Sequence, residues 1–257
     1  MKKIAIITGA SSGMGREFAL TLEKHLQVEE VWAVARSEEK LSALALGVPV
    51  RPLALDLTLP ESLETLGSLL EKERPRVMLL VNAGGFGRFA YTQDTPMKDA
   101  LDMVDLNCRA LTQLTLLCLP FMGEGSSVLN IASVAAFQPT PGLGIYAATK
   151  AYVLSFTRAL AREVRGKGIR VMALCPFWTK TAFFDRAKGE EKNNLIRYYA
   201  VMYSAEFMVE KAWKALLSSR KDVVVPGLKA SLQVLAVKLL PHSLVMTLWQ
   251  GQQKMNL

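Results

Sequence analysis

Seven short runs of continuous apolar residues recur along the chain, at 4–8, 31–35, 51–55, 77–81, 127–132, 169–174 and 222–226. They are rich in Val, Ile and Leu and do not alternate with polar residues, which is the pattern of strands buried on both faces, as in parallel sheets. Between them run segments with helical spacing, such as REFALTLEKHL (16–26) and YAATKAYVLSFTRALAREV (146–164). This alternation predicts an α/β fold, a Rossmann-type doubly wound parallel sheet of about seven strands with right-handed crossovers. In such sheets ligands bind outside the carboxyl ends of the strands, near the point where strand order reverses.

No repeat, low-complexity tract or polar linker interrupts the rhythm, and only the connection across 176–199 is long. A single dinucleotide-binding catalytic unit over 1–228 is expected, followed by a helical extension over 229–257. That extension has an apolar run broken by Lys238, Pro241 and His242, so it predicts two short amphipathic helices hinged at Pro241 rather than a membrane span. His242 reads as a helix-start residue. The two helices could cover a pocket, pack on another subunit or make peripheral contact with a membrane surface.

Composition narrows the picture without changing it. With 51% hydrophobic and 21% charged residues, the 257-residue chain has ample material for a core and is not of disordered type. The net charge of +8 is scattered, its clearest groups (REVRGKGIR, KGEEKNN) diluted by Glu or Gly, which argues against nucleic acid as a partner. Cys108, Cys118 and Cys175 have neither paired metal spacing nor an even count, so they read as packing thiols in a reducing compartment, with no metal. The first apolar run is too short for a signal-peptide core, and a cytoplasmic location is expected.

The chemistry gathers at the predicted strand ends. After the first strand comes TGASSGMGR, with Gly9, Gly13 and Gly15 spaced by Ser11, Ser12 and Met14. A glycine-rich turn opening a helix lets the backbone approach a pyrophosphate, whose charge the helix amides stabilise. After the second strand stand Arg36 and Ser37 where an NAD-selective fold places an acid. An arginine there suits a 2′-phosphate, so NADP is favoured over NAD. Asp56 with Leu57, and Asn82 with Ala83 and Gly84, end the third and fourth strands. Asp56 reads equally as a helix cap and Asn82 as a turn former.

Tyr146 and Lys150, four apart on one helix face, mean little alone. Together with the companions in order, TGxxxGxG at 8–15, NAG at 82–84, Asn107, Ser133 and YxxxK at 146–150, the chain resembles the short-chain dehydrogenase/reductase family across residues 3–227. The resemblance implies that Ser133, Tyr146, Lys150 and Asn107 are catalytic. Tyr146 would be the acid in ketone reduction and the base in alcohol oxidation, its pKa lowered by the Lys150 ammonium and an oxidised nicotinamide. Ser133 would bond the carbonyl oxygen, Lys150 the nicotinamide ribose, and Asn107 a water relaying protons to Lys150. A homodimer or homotetramer is also implied.

The chain departs from the family after the sixth strand, in CPFWTKTAFF. Pro176 is present, but Phe177 replaces the usual glycine, and Thr179 or Thr181 must serve as the threonine that meets the carboxamide. Phe177, Trp178, Phe183 and Phe184 crowd this stretch and suggest an apolar substrate pocket. The expected function is therefore NADP(H)-dependent interconversion of a ketone and a secondary alcohol on a hydrophobic, steroid-like or fatty substrate. The rivals are a 3-oxoacyl thioester reductase of lipid synthesis and a non-catalytic dinucleotide-sensing protein.

Overall fold

The computed structural model describes residues 1–188, 195–218 and 221–255. Seven strands, β1 (Lys3–Thr8), β2 (Glu30–Ala35), β3 (Val50–Ala54), β4 (Arg76–Asn82), β5 (Ser127–Ile131), β6 (Arg170–Leu174) and β7 (Val223–Val224), form one sheet in the order β3-β2-β1-β4-β5-β6-β7. Every pair is parallel. Each apolar run yields a strand because its residues are covered from both sides. Ala5 and Ile7 face one layer with Phe18, Ala19 and Trp213, while Ile4 and Ile6 face the other with Leu63, Leu66 and Leu114. Expected bounds shift by a residue at most, except at β7, where two residues pair instead of five. There the partners of β7 run out at Leu174, and Pro226 lacks the N–H that a longer ladder would need.

Crossover helices include α1 (Gly13–Thr21), α2 (Glu38–Ser42), α3 (Pro60–Glu73), α4 (Met97–Val104), α5 (Leu111–Cys118) and α6 (Gly144–Glu163). The short α7 (Phe183–Lys188) and the longer α8 (Ala205–Ser218) follow β6. The long connection after β6 lies partly outside the described residues, at 189–194. The extension forms α9 (Leu228–Leu239) and α10 (His242–Gln253), joined at Pro241, with His242 opening the second helix. Among the described residues no helix is long and apolar enough to cross a membrane.

Strand order reverses between β1 and β4, so the loops that follow them part there and leave a cleft at the carboxyl edge of the sheet. That cleft has a volume of about 560 Å³ and runs from Ser11 and Arg36 at one end to Trp178 and Trp249 at the other.

Candidate active site

The near wall of the cleft is backbone. Thr8, the last residue of β1, accepts hydrogen bonds at Oγ1 from the Ala83 and Gly84 amides, at 3.0 and 2.9 Å, and donates to the Val81 carbonyl at 3.3 Å. These bonds stitch the β1 and β4 loops together at the switch point. Gly9 turns at φ +65°, and a Cβ there would lie 2.9 Å from the Ala83 carbonyl oxygen. At Gly15 a Cβ would be driven into the Gly9 and Thr8 carbonyls. With no side chain admitted at Gly9 or Gly15, the loop of Ser11, Ser12, Gly13 and Met14 lines the cleft closely. The α1 N-terminus above it carries no side-chain cap, so its first amides remain available to an anion.

Arg36, Ser37, Asp56 and Leu57 line the far end. Ser37 is also the N-cap of α2, its Oγ accepting from the Lys40 amide at 3.4 Å. The Asp56 carboxylate accepts from the Thr58 amide at 3.0 Å and its hydroxyl at 2.8 Å. Burial pushes this carboxyl up, but those bonds and the charges of Arg36 and Arg186 outweigh it and hold it below its usual range. Arg186, from α7, is a cleft residue that the sequence did not announce. Its guanidinium carbon sits 3.4 Å from the Phe86 ring centroid, and burial, followed by Arg36, pushes its pKa down. A backbone cradle beside two guanidiniums fits a dinucleotide with its pyrophosphate, and the arginines add capacity for a further phosphate.

At the middle of the cleft stand Ser133, Tyr146 and Lys150. Ser133 follows β5, accepts the Ala135 amide at 3.1 Å and also meets the Tyr146 phenol. Tyr146 and Lys150 share one face of α6, with the ammonium 5.7 Å from the phenol ring centroid. Lys150 is only 5% exposed and donates to the Ile131 carbonyl at 2.8 Å. Burial pushes the Tyr146 phenol up to about 12, with the Ser133 hydrogen bond opposing. The ammonium lies over the ring and is itself desolvated, its pKa pulled down to about 8. Loss of water is the largest cause at both groups, opposed at Tyr146 by the Ser133 hydrogen bond and at Lys150 by Cys108 and Cys175.

Two expected site residues also carry framework bonds. Asn82 donates to Thr115 Oγ1 at 3.0 Å and Asn130 Oδ1 at 2.8 Å, and Asn130 continues to Thr157 Oγ1 at 2.9 Å. This buried chain ties β4 and β5 to α5 and α6 and engages the Asn82 amide nitrogen. Its neighbours Ala83 and Gly84 do line the cleft. Asn107 lies on a π turn (Asp105–Ala110) that joins α4 to α5. Its amide donates to the Phe86 carbonyl at 2.9 Å and Thr149 Oγ1 at 3.0 Å and accepts the Phe86 amide at 3.1 Å. The wide turn coincides with a side chain bonded outside its own helix. One acceptor position on Oδ1 is left, facing the space above Gly85, onto which the Lys150 ammonium also opens.

The opposite wall is aromatic. Phe177, Trp178 and Phe183 line the cleft as expected, with Pro176 beside them, and Phe183 packs against Tyr146 at 5.4 Å between centroids. Phe89, Leu143 and Trp249 complete this wall. Phe89, seven residues beyond the end of β4, could have been suspected from its place after a strand end; Trp249, in the extension, carried no such signal. Trp249 is anchored by its indole N–H on the Pro141 carbonyl at 2.9 Å. Of the two threonines, Thr179 is buried and donates to the Phe177 carbonyl at 2.9 Å, whereas the Thr181 side chain lies against Gly13 in the glycine loop.

Comparison with known proteins agrees with this layout. Residues 3–192 match the model of the short chain dehydrogenase family. Serine 3-dehydrogenase of Rhizobium radiobacter is 35% identical over 190 residues, 71% of this chain and 74% of that protein. Among solved structures, a short-chain dehydrogenase of Sphingobium yanoikuyae in complex with NADPH is similar with a TM-score of 0.79 and 28% identity, covering 95% of both chains. One from Burkholderia phymatum in complex with NAD has a TM-score of 0.76 at 24% identity, over 95% of this chain and 94% of that one. With a seven-stranded sheet, a glycine cradle at its switch point and a tyrosine–lysine pair in the cleft, the chain belongs to the short-chain dehydrogenase family, whose members are oxidoreductases acting on CH–OH groups with a nicotinamide dinucleotide.

Proposed function

We propose that this protein reversibly interconverts a ketone and a secondary alcohol on an apolar, steroid-like or fatty substrate, with NADP(H) preferred over NAD(H). The carrying observation is that Ser133, Tyr146 and Lys150 sit between a cationic backbone cradle and an aromatic wall. The dinucleotide, when bound, supplies or accepts the hydride. The Ser133 hydroxyl donates to the substrate oxygen, where charge develops during reduction. Tyr146 delivers its proton to that oxygen in reduction and removes it in oxidation. A phenol at about 12 keeps its proton at neutral pH, which suits reduction.

Lys150 holds the nicotinamide ribose hydroxyls and keeps a positive charge beside the phenol. Asn107 acts through its remaining acceptor, positioning a water above Gly85 that refills the lysine. Arg36, with Ser37 and Arg186 near it, takes the 2′-phosphate, and Thr181 takes the carboxamide. A homodimer or homotetramer is supported by Leu101, Val104, Leu116 and Tyr152, apolar side chains exposed along α4, α5 and α6.

The test follows nicotinamide absorbance while graded ketones, from small and polar to bulky and apolar, are offered with NADPH or NADH. Turnover of the bulky ketones with NADPH supports the reading. Activity confined to 3-oxoacyl groups on acyl carrier protein, or tight NADPH binding with no ketone turned over, overturns it in favour of a thioester reductase or a sensing protein.

A further inference from the structure

Helix α9 has two opposed apolar faces, and only one of them is covered. Ala230 and Val234 pack against Val134, Phe137 and Phe177, and Val237 is buried with them. Leu228, Leu232, Leu235 and Leu239 are 76, 56, 56 and 77% exposed. Their spacing of four, three and four places them within about 60° of arc at 3.6 residues per turn, on the side turned away from the buried trio. Past the corner at Pro241 the exposed apolar positions continue with Leu244 and Leu248. Four leucines in one stripe facing water are unusual for a lone globular protein and mark an interaction surface.

Charge identifies the partner. Residues 228–257 contain no aspartate or glutamate, while Lys229, Lys238 and Lys254 are all present. Lys229 and Lys238 project about 90° to either side of the leucine stripe, where long stems can carry ammonium groups up to a headgroup layer. Lys238 now rests its ammonium 5.2 Å from the Phe137 ring centroid, a contact its flexible stem can leave. A second copy of the chain would set these lysines against one another with no acid on the extension to pair them. An anionic bilayer meets both demands, taking the leucines among acyl chains and the lysines among phosphates.

We propose that α9, with the start of α10, docks the protein on an anionic lipid surface. The same two helices contribute Gln233, Trp249 and Gln252 to the cleft wall, so docking brings the aromatic wall near the medium in which an apolar ketone dissolves. Docking itself does not depend on the proposed reaction; only the delivery of substrate rests on that reading.

The experiment is co-sedimentation of the full chain, without substrate or dinucleotide, with vesicles of phosphatidylcholine alone or with about one third phosphatidylglycerol. The protein should pellet with the anionic vesicles, at least tenfold more tightly than with the neutral ones, and release as salt rises. The double variant Leu232→Gln/Leu235→Gln should stay in the supernatant with an unchanged thermal melt. Lys229→Gln/Lys238→Gln should bind roughly 25-fold more weakly, about fivefold per lysine. Wild-type protein left in the supernatant with both vesicles overturns the proposal. So does a leucine variant that still pellets but elutes at half the wild-type mass, because then a second copy covers the stripe.

Discussion

The two walls of the cleft are made of different material. The dinucleotide wall is main chain and short side chains, from residues 9–15 and 83–84, held at the switch point by Thr8. The opposite wall is side chain, with Phe89, Trp178, Phe183 and Trp249 contributed by segments far apart in sequence. At Gly9 and Gly15 the backbone wall tolerates no side chain, because an added Cβ would meet main-chain atoms. An aromatic wall can lose a ring and keep its frame. Binding of the dinucleotide and choice of substrate should therefore fail separately.

The largest effect is expected at Gly15, where a side chain would collide with main-chain carbonyls that no rotamer change can clear. Gly15→Val should raise the Kd for NADPH by about 100-fold or more, read by fluorescence titration. An NADPH Kd equal to wild type would show that the cradle is not what holds the dinucleotide. Next comes Arg36→Ala, which should weaken NADPH by roughly 10- to 100-fold while NADH stays within about twofold, the signature of a lost charge-assisted phosphate contact. Equal losses for both cofactors would remove Arg36 from phosphate recognition.

Trp178→Ala acts on the other wall. It should raise KM for bulky ketones by about tenfold through lost apolar contact, with the NADPH Kd unchanged. If the Kd moved as well, the two walls would be coupled and the contrast would break. The smallest effect is on stability and belongs to the floor between the walls. Lys150 titrates at about 8 when folded, against an ordinary 10.5. The unfolded chain thus binds a proton the folded one lacks between those values, and this lysine's contribution to stability rises with pH across that window. Cys175 and Tyr146, both raised by burial to about 12, pull the opposite way above pH 9 and 10. Subtracting denaturation midpoints of Lys150→Met from wild type at each pH isolates the lysine, and the difference should climb from pH 8 to pH 10.

The same contrast explains what could be read from the sequence. Continuous apolar runs gave all seven strands because burial on both faces leaves no other composition open, and the glycine spacing could be read because each glycine answers to a fixed backbone approach. The serine, tyrosine and lysine were singled out by the resemblance to the family, whose motifs the chain carries in order. What escaped depended on distant contacts. Asn82 sits at a strand end like a ligand-facing residue, yet Thr115 and Asn130 draw its side chain into the core. The π turn at Asn107 reflects a bond to Phe86 across 21 residues. Arg186 and Trp249 reach the cleft from a six-residue helix and from the extension, and nothing local in the chain marks either. Nor does a sequence list the water that burial strips from the phenol and the lysine.

The central claim is that the Tyr146 phenol hands its proton to a substrate oxygen inside this buried site. Single-turnover reduction of a bulky ketone by the preformed NADPH complex of Tyr146→Phe tests it most directly, with NADPH affinity measured on the same sample. The account predicts an NADPH Kd within about twofold of wild type and a hydride-transfer rate lower by about a thousandfold, within the range for loss of a positioned acid. A variant that binds NADPH and reduces the ketone at the wild-type rate would contradict it.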